Sequence, residues 1–161
     1  MVTIREAVTD EDWARGCALL QQVYVGDGFT PADRAAEFMR RERLEQEGAF
    51  LLAIQDTGET IGAVLFLHEG SQLHQVALPG EREFRLLAVR SDARSEGVGH
   101  ALVHGCLMRA AADDALGLVL WTQPTMLAAH RLYERLGFVH ETARDEEDPR
   151  GFTRLVYVKR L

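Results

Sequence analysis

The sequence predicts one α/β (α+β) domain in which helices pack around a single central sheet. Two observations predict it: strand and helix patterns follow one another along the whole chain, and no linker or shift in composition divides them. A length of 161 residues is ordinary for one domain, so we expect residues 1–161 to form a single unit. With 47% hydrophobic and 27% charged residues, the chain has the composition of a folded protein, not of a disordered or repetitive one.

The first part of the chain predicts a strand followed by two helices. Residues 2–8 alternate apolar and polar side chains, as a half-buried strand does. Thr9 or Asp10 can cap the helix that follows. Pro31, a residue favoured at the first position of a helix, then opens a second helix that runs to about Glu47. This second helix is highly charged, so we expect much of it to face water.

The rest of the chain predicts six further strands and two further helices. The strands are expected at 49–54, 60–67, 83–89, 118–122, 138–143 and 152–159, and the helices at 97–113 and 125–136. The total is about seven strands and about four helices. A looser connection, residues 68–80, separates the third strand from the fourth.

Charge and cysteine content exclude several classes of protein. The net charge of −7 argues against a nucleic-acid partner, which normally requires a basic patch. The two cysteines, Cys17 and Cys106, are far apart and predict buried free thiols, not a disulfide framework or a zinc site. His100 and His104 lie one helical turn apart but lack the glutamate of an HExxH zinc motif, so we expect no metal.

No segment of the sequence predicts a membrane partner. No apolar run approaches the roughly 20 residues that span a bilayer. The N-terminus lacks the basic and then apolar layout of a signal peptide. We therefore expect a cytoplasmic location and no membrane partner.

The most informative segment is the connection between the strand at 83–89 and the helix at 97–113. A helix N-terminus presents unpaired amides and a partial positive charge, which favour phosphate groups. Gly97 and Gly99 allow a close approach of backbone to ligand, and Arg94 adds a cation. The chain has no GxxxxGKS or GxxxxGKT loop, and a third glycine of the dinucleotide fingerprint is missing. Taken alone, these glycines are equally compatible with an ordinary capped turn.

Two motifs together resemble the GCN5-related N-acetyltransferase (GNAT) superfamily. The first is Leu-Leu-Ala-Val at 86–89 followed by Arg-Ser-Glu-Gly-Val-Gly at 94–99. The second is Ala-His-Arg-Leu-Tyr-Glu-Arg-Leu-Gly-Phe at 129–138. Many members of the family carry Asn three residues before the signature alanine, where this chain has Met126.

The resemblance implies a mixed, mostly antiparallel sheet that splays in the middle, and acetyl-CoA as the donor, with no metal. The pyrophosphate would lie on the loop 94–99 and on the start of the helix that follows it. The pantetheine arm would lie beside the end of the strand at 83–89. The implied acetyl-CoA-binding residues are Leu87, Ala88, Val89, Arg94, Ser95, Glu96, Gly97, Val98, Gly99, His100 and Ala129.

The resemblance also implies two candidate catalytic residues. Tyr133 would donate a proton to the leaving thiolate, although a core tyrosine fits the same helical stripe. Glu83 would be the general base, directly or through water, although a solvated carboxylate at a strand start is the alternative. Strict alternation would put Glu83, Arg85 and Leu87 on one face, where Arg85 would modulate Glu83 or bind a substrate carboxylate.

The acceptor is left open by the sequence. A primary amine of a small molecule is the leading interpretation, with a protein or peptide amine as the alternative enzyme and a non-catalytic acyl-CoA-binding sensor or interaction module as the alternative of another class. The acidic run 145–148 is interpreted as a solvated loop that could also steer a cationic amine. Members of the family are often dimers, so a homodimer is compatible with the resemblance.

Overall fold

The computed structural model describes all 161 residues, which form eight strands and five helices. The strands are β1 (Val2–Glu6), β2 (Gly48–Gln55), β3 (Thr60–Leu67), β4 (Glu81–Val89), β5 (Gly117–Thr122), β6 (Val139–His140), β7 (Glu146–Glu147) and β8 (Thr153–Arg160). The helices are α1 (Asp10–Gly26), α2 (Ala32–Phe38), α3 (Arg41–Leu44), α4 (Val98–Ala112) and α5 (Leu127–Arg135). None of the helices is long and apolar enough to cross a membrane.

One mixed sheet runs through the molecule in the order β1-β2-β3-β4-β5-β8-β6, with the short β7 paired to β8. Every pairing is antiparallel except that of β4 with β5. These two parallel strands pair only at their first residues, Glu81 to Glu83 against Gly117 to Val119. Because β4 continues for six residues beyond that pairing, the sheet opens between β4 and β5, and the expectation of a splayed, mostly antiparallel sheet is confirmed.

Helices cover both faces of the sheet, and each face has its own apolar core. On one face, α1 to α3 pack on the sheet around Leu20, Leu44 and Phe50. On the other face, α4 and α5 pack around Leu102, Phe84 and Tyr133. Strands β2 and β3 therefore bury residues on both sides, which explains their nearly continuous apolar sequences.

The first helix begins where the sequence predicts a cap. The Thr9 hydroxyl accepts a hydrogen bond from the Asp12 amide, and the Asp12 carboxylate accepts one from the Thr9 amide, which makes a capping box. Arg5 of β1 donates two hydrogen bonds of 2.8 Å to the same carboxylate. Asp12 thereby joins the N-terminus of α1 to the edge strand.

The single helix predicted over 31–47 is wrong, because two short helices occupy this segment. Ala35, Met39 and Leu44 are all buried against the core. Ala35 and Met39 are four residues apart and share a helix face, but Met39 and Leu44 are five apart and would diverge on one continuous helix. The backbone leaves the helical conformation at Met39 and Arg40, and this break allows all three side chains to be buried.

The remaining differences are one additional short strand, β7, in the segment predicted as an acidic loop, and shifts at element ends. β1 stops at Glu6, two residues earlier than predicted, and β4 starts at Glu81, two residues earlier. The strand predicted over 138–143 pairs only at Val139 and His140. Its second half is a 3₁₀ turn, Thr142–Arg144, which carries the chain into the loop before β8.

Candidate functional site

A cavity of about 770 Å³ lies where β4 and β5 separate. Its floor is formed by residues of both strands, including Leu87 and Trp121. Tyr24 of α1, Phe38 of α2 and Tyr133 of α5 complete its walls, together with residues of the loops 72–75 and 148–150. The cavity exists because the parallel pairing of β4 and β5 ends after three residue pairs.

A β-bulge in β4 sets which side chains reach the cavity. The register with β3 shifts between Ala63 and Leu65, and Leu86 has a left-handed backbone with φ 61°. Leu86 consequently packs with the α1 core, and Leu87 packs with the α4 core on the opposite face. The prediction that Leu87 shares a face with Glu83 and Arg85 is therefore wrong, because the bulge interrupts the strict alternation of the strand.

The loop before α4 presents the unpaired amides expected of a helix N-terminus. Ser95 and Gly97 both have left-handed backbones, with φ 67° and 82°, and they turn the chain into the helix. No side chain caps this end, and no acidic residue lies in the first turn. The amides of Val98, Gly99 and His100 have no hydrogen-bond partner within the chain. They remain available to an anion at the positive end of a helix of 15 residues.

The two loop glycines meet different surroundings. A methyl group at Gly99 would lie 3.0 Å from Leu132 of α5 and 3.7 Å from Val89. At Gly97 a methyl group would meet no atom within 4 Å, but the backbone there is left-handed. Gly99 thus permits close packing of α4 on α5, and Gly97 permits the turn.

Arg94 already has partners in the chain. Its Nε donates to the carbonyl of Val89 at 3.2 Å, and its Nη2 donates to the Asp27 carboxylate at 2.7 Å. The guanidinium is nearly half exposed, so it remains accessible at the loop. Its Nη1 and the second N–H of Nη2 have no partner in the chain and remain available to a phosphate.

Tyr133 lies in an aromatic cluster at the wall of the cavity. Its ring packs against Phe84, Phe138 and Tyr157, with centroid distances of 6.1, 5.9 and 5.8 Å. The residue is 5% exposed, and burial raises the pKa of its hydroxyl well above the usual range.

Tyr24 is a second tyrosine that lines the same cavity, and no sequence motif pointed to it. Its hydroxyl donates a 3.0 Å hydrogen bond to the carbonyl of Leu87, next to the bulge. Burial also raises the pKa of this hydroxyl. The bond ties the C-terminal part of α1 to the open edge of β4.

Glu83 does not have the environment expected of a base that faces the acceptor. The residue is fully buried and is not among those that line the cavity. Its Oε1 accepts hydrogen bonds from the amides of Gln75, Val76 and Ala77 at 3.2, 3.1 and 3.0 Å. The alternative of a solvated carboxylate is wrong, because the side chain is shielded from water. The observed contacts are those of a carboxylate that fastens the loop after β3 to the central strand.

The acidic run 145–148 is not the solvated loop that we predicted. Asp148 is 4% exposed, and it accepts hydrogen bonds from Arg150 and Arg154. These bonds, above all those from Arg150, hold the pKa of its carboxyl well below the usual range. Asp145 accepts from His140 and from the amide of Val156. The charges of this segment are largely paired within the chain.

Three arginines surround Trp121 at the far end of the cavity. The guanidinium carbons of Arg85, Arg150 and Arg154 lie 5.6, 6.0 and 5.1 Å from the indole ring centre. The indole N–H donates to the side-chain oxygen of Gln75 at 2.6 Å. Of these residues the sequence pointed only to Arg85, because the others converge through the pairing of β5 with β8, which local patterns do not reveal.

Met126 and Ala129 also line the cavity. The Thr122 hydroxyl lies 3.4 Å from the sulfur of Met126. Met126 is the N-cap residue of α5, and its side chain makes no capping hydrogen bond. The residue thus fills part of the cavity wall without contributing a strong polar group.

Solved structures share this fold over the whole chain. An acetyltransferase of the GNAT family from Staphylococcus aureus Mu50 superposes with a TM-score of 0.75 at 15% identity, covering 100% of this chain and 99% of that one. A chain of the GNAT family from Desulfovibrio desulfuricans gives a TM-score of 0.75 at 19% identity, with 99% of both chains covered. At these identities the likeness concerns the fold.

A curated relative is similar in sequence over part of the chain. N-acetylaspartate synthetase from Xenopus tropicalis is 36% identical over an alignment of 77 positions, and the match covers 45% of this chain and 28% of that protein. The chain thus matches well under half of the relative's length.

The match to a family covers most of the chain. Residues 11–138 match the acetyltransferase (GNAT) family, a range that includes the open edge of β4, the loop before α4 and Tyr133 of α5. Together with the shared fold, this match identifies the chain as a member of the GNAT family of acetyltransferases.

Proposed function

We propose that this acetyltransferase moves an acetyl group from acetyl-CoA to the primary amine of a small molecule by direct transfer. The observation that carries the proposal is the single cavity between β4 and β5, which reaches from Tyr133 to Trp121. Its volume of about 770 Å³ is in the range of small-molecule sites. Both substrates can meet in it without a covalent enzyme intermediate.

The chain offers two features suited to acetyl-CoA. The free amides of Val98 to His100 can hold the pyrophosphate at the N-terminus of α4, with Arg94 beside them. The edge of β4 at residues 87–89 has no strand partner on the β5 side, so the pantetheine arm can lie along it, provided that the carbonyls of Leu87 and Val89 share or exchange their side-chain hydrogen bonds with Tyr24 and Arg94. These are the residues expected from the family resemblance, and the geometry supports the assignment.

The proposed reaction needs one proton donor and one proton acceptor. The neutral amine attacks the carbonyl carbon of the thioester, the C–N bond forms, and the C–S bond breaks. The thiolate of CoA takes the proton of the Tyr133 hydroxyl, and the amine loses its extra proton to water in the open cavity. Tyr133 recovers its proton from solvent when CoA leaves.

Glu83 serves this site as a positioning residue in our proposal. Its carboxylate holds the amides of residues 75–77, and Gln75 in turn accepts the indole N–H of Trp121. A direct proton transfer to Glu83 would require this loop to release the carboxylate and the carboxylate to reach the cavity. The loop and the wall of the acceptor site are thus fixed through β4.

The test is an assay of free thiol released from acetyl-CoA by the purified chain with different acceptors. The acceptors are small primary amines on one side and lysine-containing or free-N-terminal peptides on the other. We expect amine-dependent thiol release with at least one class of small amine and little with peptides. Faster release with peptides would favour the protein acceptor, and CoA binding without thiol release for any acceptor would contradict the proposal.

A further inference from the structure

The cavity is lined by more positive than negative charge, although the whole chain is acidic. Its lining contains five arginines and two acidic residues, whereas the net charge of the chain is −7. The arginines are Arg34, Arg43, Arg85, Arg150 and Arg154, and the acids are Glu37 and Asp148. A positive cavity in a negative protein indicates a negatively charged ligand group.

Arg85 is partly buried, unlike the exposed Arg34 and Arg43, and the chain supplies no adequate partner for its charge. It forms no ion pair, and its one hydrogen bond, from Nη1 to the carbonyl of Leu73, is long at 3.5 Å. Its guanidinium lies between Phe38 and Trp121, with its central carbon 5.6 Å from each ring centre. A guanidinium held between aromatic rings and withdrawn from water is costly unless an anion binds it.

The charged neighbours of Arg85 do not remove this imbalance. Glu83 is two residues away on the same strand, but its carboxylate is bound to three backbone amides. Arg150 and Arg154 lie around the same indole ring and share the carboxylate of Asp148. Burial, opposed in part by Glu83, lowers the pKa of Arg85, which reflects the same lack of a close anion.

The neighbouring arginines also keep hydrogen-bond donors free. Asp148 accepts from Nε and Nη2 of Arg150 and from Nε of Arg154, and Glu146 accepts from Nη1 of Arg154. Nη1 of Arg150 and Nη2 of Arg154 have no partner in the chain. Asp148 thus fixes the two guanidinium groups in place and leaves donors over for a ligand.

We propose that the acceptor amine carries a carboxylate group and that Arg85, flanked by Phe38 and Trp121, binds this carboxylate. The inference rests on the proposed function and names its substrate class: small amino acids, with the acidic amino acids favoured by the additional donors of Arg150 and Arg154. A planar guanidinium matches a planar carboxylate through two parallel hydrogen bonds. The chain's partial similarity to a relative named for N-acetylaspartate agrees with this class.

The positive charge of these arginines has two further consequences for the acceptor. Positive charge near the cavity disfavours a second ammonium group, so polyamines are excluded. It also disfavours the protonated form of the reacting amine, which promotes loss of the proton before attack. The arginines thereby perform part of the work that a general base would do.

The first arm of the test compares acceptors that differ only in charge. Thiol release from acetyl-CoA is measured with glycine, L-alanine, L-aspartate and L-glutamate, and with glycinamide, L-alaninamide, aminomethylphosphonate and putrescine. We expect the best carboxylate acceptor to exceed its amide in kcat/KM by at least about 100-fold, because the amide leaves a partly buried guanidinium without an anion. A faster reaction with aminomethylphosphonate would overturn the carboxylate in favour of a tetrahedral anion.

The second arm changes the guanidinium. We expect Arg85→Gln to raise KM for the carboxylate acceptor by roughly 100-fold and to lower kcat/KM for the matching amide far less, because the amide loses only the effect of the positive charge on protonation of the amine. Arg85→Lys keeps the charge but loses the fork, so an intermediate effect is expected. Arg15→Gln is the matched control, because Arg15 is exposed on α1 and does not line the cavity. Acetyl-CoA affinity and the melting temperature of each variant report on folding.

The outcomes separate the two proposals. Faster thiol release with neutral amines or putrescine than with any carboxylate would overturn the acceptor class and leave the acetyltransferase proposal standing. Equal losses for the carboxylate and for its amide in Arg85→Gln, with intact acetyl-CoA affinity, would also overturn it. Absence of thiol release with every amine would overturn the proposed function and the acceptor class together.

Discussion

Gly97 and Gly99 lie two residues apart in the loop before α4, and different constraints require a glycine at each position. Gly97 has a left-handed backbone with φ 82° and open space around it, whereas Gly99 lies against Leu132 of α5. The sequence suggested one reason for both, a close approach of backbone to phosphate. The structure adds that only Gly97 shapes the turn, while Gly99 also serves the packing of two helices.

Replacement of Gly97 should therefore weaken CoA binding through the backbone. We expect Gly97→Ala to lower the free energy of unfolding by about 1 kcal/mol and to lower CoA affinity, because alanine disfavours a positive φ. Gly26→Ala is the control, since Gly26 has neither a positive φ nor an atom within 4 Å of an added methyl group. Titration calorimetry with CoA measures the effect, and wild-type affinity in Gly97→Ala would contradict the role of this turn.

Tyr133 is the residue on which the proposed proton transfer depends. We expect Tyr133→Phe to lower kcat by roughly 10- to 100-fold, because only the hydroxyl is lost. The ring contacts with Phe84, Phe138 and Tyr157 remain, so melting temperature and CoA affinity should stay close to wild type. Steady-state thiol release measures kcat. An unchanged kcat would assign Tyr133 to the core alone.

At the scale of elements, the sequence predicted those features that depend on local pattern. The cap at Thr9, the alternation of β1 and the glycines before α4 are all local, and each marks an element that the structure contains. The break at Met39 is set by which side chains the core must bury, so it follows from tertiary packing. The bulge at Leu86 similarly depends on the pairing of β4 with β3.

The candidate site was less predictable than the fold for the same reason. The motifs pointed to Tyr133 and to the loop before α4, which lie on contiguous segments. Tyr24, Trp121 and Arg154 reach the cavity from α1, β5 and β8, and only the topology of the sheet brings them together. Glu83 was identified by its position on the strand, but its partners in the loop 75–77 could not be seen from sequence.

The hydrogen bonds between Glu83 and the loop 75–77 predict how substitutions of Glu83 affect kcat and the protection of that loop. We expect Glu83→Gln to keep kcat within about tenfold of wild type, because the amide oxygen can still accept the three backbone hydrogen bonds. Glu83→Ala removes the acceptor and should increase amide hydrogen exchange at Gln75, Val76 and Ala77. A loss of more than about 100-fold in Glu83→Gln, with loop protection intact, would restore Glu83 as the general base.

At the scale of the whole molecule, opposite charges are distributed unevenly. The chain is acidic overall, yet arginines outnumber acidic residues in the lining of its cavity, and its two carboxylates with the most strongly lowered pKa are paired with arginines. Asp12 joins Arg5 to the start of α1, and Asp148 joins Arg150 to Arg154. Hydrogen bonds from arginine side chains lower the pKa of each carboxyl well below its usual range. The largest contribution comes from Arg5 for Asp12 and from Arg150 for Asp148.

These two carboxylates should make the protein sensitive to acid. A carboxyl whose pKa is lowered in the folded state stabilises the protein fully when the pH is above the pKa of the unfolded chain, about 4. This stabilisation is lost as the pH falls through the folded pKa. We expect denaturant unfolding to show a falling free energy below about pH 4. Asp148→Asn should lower stability at pH 7 by about 1 to 2 kcal/mol and flatten the acid limb. Asp33→Asn, at an exposed position without an ion pair, is the control. An unchanged acid limb in Asp148→Asn would contradict the assignment.

The most direct test of the proposed acetyl transfer follows the acetyl group itself. Acetyl-CoA labelled with heavy carbon in the acetyl group is incubated with the chain and each amine of the acceptor series, and mass spectrometry follows the label while thiol release is counted. We expect one labelled acetyl group on the amine nitrogen for each CoA released, with amino acids as the best acceptors. Release of CoA without a labelled amide, or binding of acetyl-CoA with no transfer to any amine, would contradict it.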